Sequence, residues 1–179
     1  MELVTPRLRL RELAVTDAAA AQAWESDPQV VRYQSTDVLG LDESRAYLQR
    51  IVDDALAAPR QVWELGVERQ ADRLLLGRVG LRASRGEHRE GEIWFVLRRD
   101  CQGQGYGLEA MRALCDFAFT ELALHRIWGD CDPRNQPSAR LMERLGMRRE
   151  GHLRENWWLK GEWCDSYLYA ILDREFTQR

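Results

Sequence analysis

The stretch Gln102-Gly103-Gln104-Gly105-Tyr106-Gly107 constrains this chain more than any other. Before it, Glu90–Leu97 has strand periodicity, with Ile93, Phe95 and Leu97 alternating. After it, Leu108, Met111, Cys115, Ala118 and Leu122 recur at helical spacing, predicting a helix that runs to about Leu122. Alternate glycines let the backbone approach a ligand closely, because no Cβ stands in the way. Successive N–H groups there, added to the positive end of the following helix, make an anion cradle suited to phosphate or pyrophosphate. The Gly-Lys-Ser/Thr ending of a P-loop is missing, and Leu108 stands where a dinucleotide loop needs its third glycine. Nucleotide binding of either kind is therefore disfavoured. A glycine-rich turn without a ligand is the plain alternative.

The loop sits within a series of strands and helices. Val4 to Leu13 alternates Leu8 and Leu10 with Arg7, Arg9 and Arg11, as a half-buried strand does. Thr16 and Asp17 open a helix through Ala18–Glu25, and Asp27-Pro28 stops it. Asp42 reads as the N-cap of a second helix, with Ala46, Tyr47, Ile51 and Ala55 on one face. Strands are predicted at Gln61–Arg69 and Leu74–Ala83, joined by the polar turn Gln70–Arg73, and at Arg126–Cys131. A short helix follows at Pro137–Leu145, then strands at Met147–Leu159 and Trp163–Leu172 joined at Lys160-Gly161. This order predicts a mixed α/β sheet with helices on its faces.

Composition narrows the function classes. The 179 residues suit a single domain over 1–179, and 45% hydrophobic with 31% charged residues suits a packed core rather than a disordered chain. A net charge of −3 gives no general attraction to nucleic acid or anionic lipid and agrees with a cationic acceptor. No run approaches the roughly 18 apolar residues of a membrane span, and charges run through Met1 to Arg11, so the expected compartment is the cytoplasm. Cys101, Cys115, Cys131 and Cys164 form no Cys-x-x-Cys pair and the three histidines are scattered, so free thiols and no metal site are expected.

The segment from Glu92 to Ala110 strongly resembles the acyl-CoA motif of the GNAT superfamily of N-acetyltransferases, Gln/Arg-x-x-Gly-x-Gly/Ala, with Gln102, Gly105 and Gly107 matching. The family's second element, Asn-x-x-Ser/Ala followed by Leu and Gly-Phe/Met, corresponds to Asn135, Ser138, Leu141, Gly146 and Met147. Thr5 to Arg11, Asp27 to Tyr33 and Asp165 to Ala170 resemble the opening strand, first interhelical loop and closing strand of the branch that acetylates ribosomal-protein N-termini. The resemblance covers nearly the whole chain, in order.

It implies a mixed, mostly antiparallel sheet of about seven strands, splayed between the fourth and fifth, flanked by about four helices. Acetyl-CoA would be the co-substrate, with no metal. Backbone groups of Phe95, Val96 and Leu97 would pair with the pantetheine arm. The run Gln102, Gly103, Gln104, Gly105, Tyr106 and Gly107 would hold the pyrophosphate, and Asn135 and Ser138 would face the arm from the other side. An acyl-CoA-binding module without catalysis shares all of these features.

Direct transfer needs a neutral amine. An α-amine of pKa near 8 costs only about 1 kcal/mol to deprotonate at pH 7, and a lysine near 10.4 roughly 4–5 kcal/mol. Glu92, on the motif strand near the expected splay, is the first candidate base, with Glu155 and Asp165 behind it. Many members carry a Tyr seven positions after the motif Asn as donor to the departing thiolate. Met142 stands there, and Ser138 is the candidate donor, with a helix-capping hydroxyl as its other reading. Cys131 as a covalent nucleophile is a minor alternative, and His125 reads as structural. Tyr33, Trp157 and Trp158 are the candidate acceptor-binding aromatics, able to exclude water or hold an ammonium. The acceptor is expected to be a protein N-terminal amine, with a polyamine, antibiotic or metabolite amine as alternatives. A homodimer through the closing strand, using exposed residues such as Leu168, is also expected.

Overall fold

A computed structural model describes residues 1–84 and 88–176. Its strands are β1 (Glu2–Val4), β2 (Leu8–Glu12), β3 (Val62–Arg69), β4 (Leu75–Ala83), β5 (Glu90–Leu97), β6 (Arg126–Cys131), β7 (Arg148–Leu159) and β8 (Glu162–Leu172). Its α-helices are α1 (Ala18–Glu25), α2 (Leu41–Leu56), α3 (Tyr106–Thr120) and α4 (Gln136–Leu145). The eight strands form one sheet in the order β1-β2-β3-β4-β5-β6-β8-β7. Neighbours run antiparallel except β5 and β6, which run parallel. That is the mixed, mostly antiparallel sheet with four helices, carrying one strand more than expected.

The extra strand comes from the N-terminal segment. Thr5-Pro6-Arg7 breaks it into two antiparallel strands, because proline cannot donate to a ladder. The gap expected between the fourth and fifth strands therefore lies between β5 and β6.

Sequence periodicity decides the two layers. On β3, β4 and β5 one set of alternate residues (Leu65, Val67; Val79, Leu81; Ile93, Leu97) packs with Met111, Leu114, Cys115 and Ala118 of α3 in the main core. The second core, Leu13, Ala18, Ala21, Trp24, Leu48, Ile51 and Val96, joins α1 and α2 to the opposite face. A buried Leu, Met or Phe contributes about 1.5–3 kcal/mol relative to exposure, so these layers hold α1–α2 and α3 against the sheet.

Three local expectations are corrected. Gly40, not Asp42, is the N-cap of α2; Glu43 Oε2 accepts from the Gly40 N–H at 2.7 Å, and Asp42 sits in the first turn with its charge toward the helix's positive end. The buried stripe of α2 is Ser44, Leu48 and Ile51, and Ala46 is exposed, because the helix packs one position round from the predicted face. Leu168 is half-buried on β8, which lies inside the sheet between β6 and β7. The exposed edge is β7, where Leu153, Trp157 and Trp158, with Trp163 of β8, are the large exposed apolar side chains of the hairpin.

Candidate active site

The site begins where two parallel strands part. β5 and β6 pair only through Glu90↔Arg126, Gly91↔Ile127 and Glu92↔Trp128. β5 continues to Leu97, bonded to β4 on its other side. The inner edge of β5 beyond Glu92 thus faces a gap, toward which strand alternation turns the backbone N–H and C=O of Phe95 and the N–H of Leu97. Val96, contrary to expectation, turns its backbone to Arg78 of β4, and the Leu97 carbonyl is taken by Gln102. A cavity of about 1220 Å³ occupies this gap.

At one end of the cavity the glycine loop enters α3. Gly103 and Gly105 have φ of 74° and 83°, a left-handed conformation that side chains with a Cβ rarely adopt. A Cβ on Gly103 would meet no atom within 4 Å, and one on Gly105 only the Arg7 guanidinium at 3.3 Å, so the space before the helix is open. The bond from Glu109 N–H to the Gly105 carbonyl, 3.1 Å, opens the helical ladder, so the preceding amides project toward that space. Gln102, Gly103, Gly105 and Gly107 line the cavity. Gln104 and Tyr106 do not. The Gln104 amide donates to the Asp100 carbonyl at 2.9 Å, and the Tyr106 ring packs under Arg7 at 4.5 Å. Gln102 acts on the backbone, its Nε2 donating to the Leu97 carbonyl at 2.9 Å and tying the loop to the end of β5.

The opening segment explains itself here. Arg7 Nε donates to Glu109 Oε2 at 2.6 Å, Thr5 Oγ1 to Glu109 Oε1 at 2.6 Å, and Arg7 Nη1 to the Gln104 carbonyl at 3.1 Å. Thr5 and Arg7 brace the first turn of α3, and Arg7 adds positive charge beside the cradle.

Across the gap, Asn135 caps α4, its Oδ1 accepting from the Ser138 N–H at 3.3 Å. Ser138 is the capped residue rather than the cap, and it lines the cavity, as does the buried Met142. Asn135→Ala is therefore predicted to lower stability by about 1 kcal/mol in thermal unfolding. Ser138→Ala is predicted to leave stability within about 0.5 kcal/mol. It should lower the turnover number about 2–10-fold, the worth of one hydrogen bond to the departing sulfur. A Ser138→Ala protein with lowered melting but full turnover would reverse the two roles.

Among the candidate bases, Glu92 and Asp165 line the cavity and Glu155 does not. Glu92 stands where β5 and β6 separate, and Arg82 Nη1 reaches its Oε2 at 3.3 Å. Asp165 is already committed. It accepts from the Glu155 N–H at 2.9 Å and lies 2.6 Å from His152 Nε2. These bonds hold its carboxyl below the usual aspartate range and make it a poor proton acceptor. Glu155 is exposed, at φ 48° in an irregular stretch of β7. Cys131 lines the gap, but burial and the neighbouring Asp130 and Asp132 push its thiol up to about 12, which disfavours a thiolate nucleophile. His125 lies outside the cavity, 3.4 Å from Asp173.

Tyr33 and Trp157 line the cavity. Trp158 does not; it is exposed and packs edge-on against Trp163 with ring centroids 5.3 Å apart. Trp24 is fully buried in the second core. The Tyr33 face already meets Arg32 and Arg134 guanidinium groups at 5.2 and 5.9 Å.

Sequence reasoning missed a buried polar cluster under α1 and α2. Arg78 donates to Glu64 Oε1 at 2.6 Å, to Glu25 Oε1 at 2.8 Å and to the Tyr47 hydroxyl at 3.1 Å. Trp94 Nε1 donates to the same Glu64 oxygen at 3.1 Å. The indole reaches it by crossing β4 over Gly80, where a Cβ would lie 2.0 Å from the ring. Burial opposes the Arg78 charge, but Tyr47, Glu64 and Glu25 outweigh it and hold the guanidinium above its ordinary value. The available signal was charge inside apolar strands: Glu64 in Val62-Trp-Glu-Leu-Gly and Arg78 in Leu75-Leu-Gly-Arg-Val.

A family model described as the acetyltransferase (GNAT) domain matches residues 7–148. The N-acetyltransferase YnaD of Bacillus subtilis, itself described as uncharacterized, is 33% identical over 177 residues, covering 99% of this chain and 100% of its own. The crystal structure of a GNAT-family acetyltransferase from Bacillus anthracis superposes with a TM-score of 0.87 at 31% identity, covering 98% of this chain and 100% of that one. A spermidine N(1)-acetyltransferase of Vibrio cholerae is 29% identical, over 63% of this chain and 65% of its own. The parted strands, the open glycine cradle and these matches agree: the chain belongs to the GNAT family of acetyl-CoA-dependent N-acetyltransferases.

Proposed function

We propose that the protein transfers the acetyl group of acetyl-CoA to the α-amine at a protein N-terminus, by direct attack in a ternary complex, as a single catalytic domain of the cytoplasm. The observation that carries the reading is the unpaired edge of β5 running from Glu92 at the fork to the glycine cradle before α3. The backbone of Phe95 and the Leu97 N–H would bind the pantetheine amides, with the Val96 side chain in the cavity wall, and the amides of the loop would hold the pyrophosphate. The thioester would then lie between Glu92 and Ser138. Glu92 takes the proton of the attacking amine, its nitrogen bonds the carbonyl carbon, and the C–S bond breaks. Ser138 donates to the departing thiolate. A backbone N–H of β5 stabilises the oxyanion.

An N-terminal acceptor is supported by the likeness of Thr5–Arg11, Asp27–Tyr33 and Asp165–Ala170 to the ribosomal-protein branch, and by the low cost of deprotonating an α-amine. Four buried free cysteines agree with a reducing compartment. A second reading, a small-molecule amine, is favoured by the Glu64 carboxylate in the cavity wall and by the spermidine-acetylating relative. Mass detection of product from a panel of N-terminal peptides and small amines decides between them. Acetylation of small amines alone would discard the first reading.

We also propose association into a homodimer through β7, which forms a sheet edge and carries exposed apolar side chains. Light scattering should give twice the chain mass of 20.9 kDa. A mass of one chain at working concentration would contradict it.

A further inference from the structure

Glu64 is more than a partner for Arg78. Its three donors, Arg78 Nε, Trp94 Nε1 and the Tyr47 hydroxyl (3.5 Å), all converge on Oε1. Among the described residues, Oε2 accepts no hydrogen bond. The residue is only 6% exposed, yet it lines the cavity. Oε2 is not sealed off, unlike Glu25 Oε2, which is buried without a partner; it is the oxygen of Glu64 left to the cavity, where a cationic ligand or water can meet it. Charge points the same way. One guanidinium, Arg78, serves two buried carboxylates, Glu64 and Glu25, so the cluster is one positive charge short. The other cations of this wall are engaged elsewhere: Arg82 with Glu92, and Arg50 over the Tyr47 ring at 5.1 Å.

The register fixes where Glu64 acts. Glu64 pairs with Gly80, and Gly80 with Trp94, which is two residues along β5 from Glu92. Glu64 and Glu92 thus share one sheet face, with Cα atoms about 12 Å apart from two strand spacings and two residue rises. An acceptor whose nucleophilic nitrogen faces Glu92 presents a different part of itself to Glu64.

We propose that Glu64 Oε2 is an acceptor-binding site for a second protonated nitrogen, so that the preferred acceptor carries a cation beside the amine that is acetylated. This rests on the acetyl-transfer reading for the identity of the bound molecule, but not for the binding itself. Arg78, Tyr47 and Trp94 are positioning residues that aim the carboxylate. Two sources offer this chemistry: a linear diamine, or a peptide with a basic side chain next to its N-terminus.

Calorimetric titration of the protein saturated with CoA tests it, using two matched pairs. One pair is butane-1,4-diamine against butylamine. The other is a short peptide beginning Ala-Lys against one beginning Ala-norleucine. In wild-type protein one dicationic member should bind at least tenfold tighter than its partner, and the pair that discriminates names the source. Glu64→Gln keeps the shape and an acceptor for Arg78, and should reduce that preference to under threefold while acetyl-CoA affinity is unchanged. Glu25→Gln neutralises the other Arg78 partner without touching the cavity, and should lower the preference less than Glu64→Gln does. Equal binding within both pairs in wild-type protein would overturn the proposal, and this arm needs no variant to fold. Equal loss in Glu64→Gln and Glu25→Gln would also overturn it, since the effect would then run through Arg78. A dicationic preference without acetylated product would sustain the Glu64 site and reject the transferase reading.

Discussion

Gly105→Val is expected to abolish detectable acetyl-CoA binding, a loss of at least 100-fold, in a protein that still folds. Gly105 is the N-cap of α3 at φ 83°, which a β-branched residue adopts only under strain. The strain is about 1–3 kcal/mol, less than the 5–15 kcal/mol that holds an ordinary domain together. Only the Arg7 guanidinium lies within 4 Å of the new Cβ, so no core packing is disturbed. The methyl groups would instead occupy the space into which the loop amides point. Binding is read by calorimetry and folding by circular dichroism. A folded variant with unchanged affinity would remove the loop from the site.

The second large effect is expected at Glu92. Glu92→Gln should lower the turnover number by about 10²–10⁴-fold, the usual worth of a positioned proton acceptor. Its ion pair with Arg82 is partly exposed and worth at most about 1 kcal/mol, so folding should not suffer. Acetyl-CoA affinity should hardly change, because the carboxylate serves the amine. The loss should shrink as pH rises, since solvent then supplies neutral amine. Ser138→Ala should show no such recovery, because thiolate departure does not depend on amine protonation. Near-wild-type turnover of Glu92→Gln at pH 7 would leave Glu92 as a strand residue. Proton removal would then pass to water, given that Asp165 is held by His152 and the Glu155 amide.

Periodicity made most of the fold legible. The alternation in Glu90–Leu97 marked the strand, and the spacing of Met111, Cys115 and Ala118 marked the face of α3 that is buried. Local pattern failed where tertiary contacts decide. Pro6 divides one apparent strand into two: the Leu-Arg alternation belongs to β2 alone, and Val4 before it pairs back as part of β1. Asp42 has the chemistry of an N-cap, yet Glu43 reaching back to Gly40 starts the helix two residues earlier. Trp157 and Trp158 are adjacent on one strand, so their side chains face opposite ways and only Trp157 lines the cavity. The glycine loop was legible because its backbone conformation demands its residues. The Glu64 cluster was not, because its members come from α1, α2, β3, β4 and β5 and converge only after folding.

The most direct test of the account is incubation with acetyl-CoA and the amine panel, following CoA release and product mass together. The account predicts one CoA released per N-acetylated amine, with both signals lost in Gly105→Val and strongly reduced in Glu92→Gln. Tight acetyl-CoA binding with no product from any amine would contradict it, and would make the chain an acyl-CoA-binding module on an acetyltransferase fold.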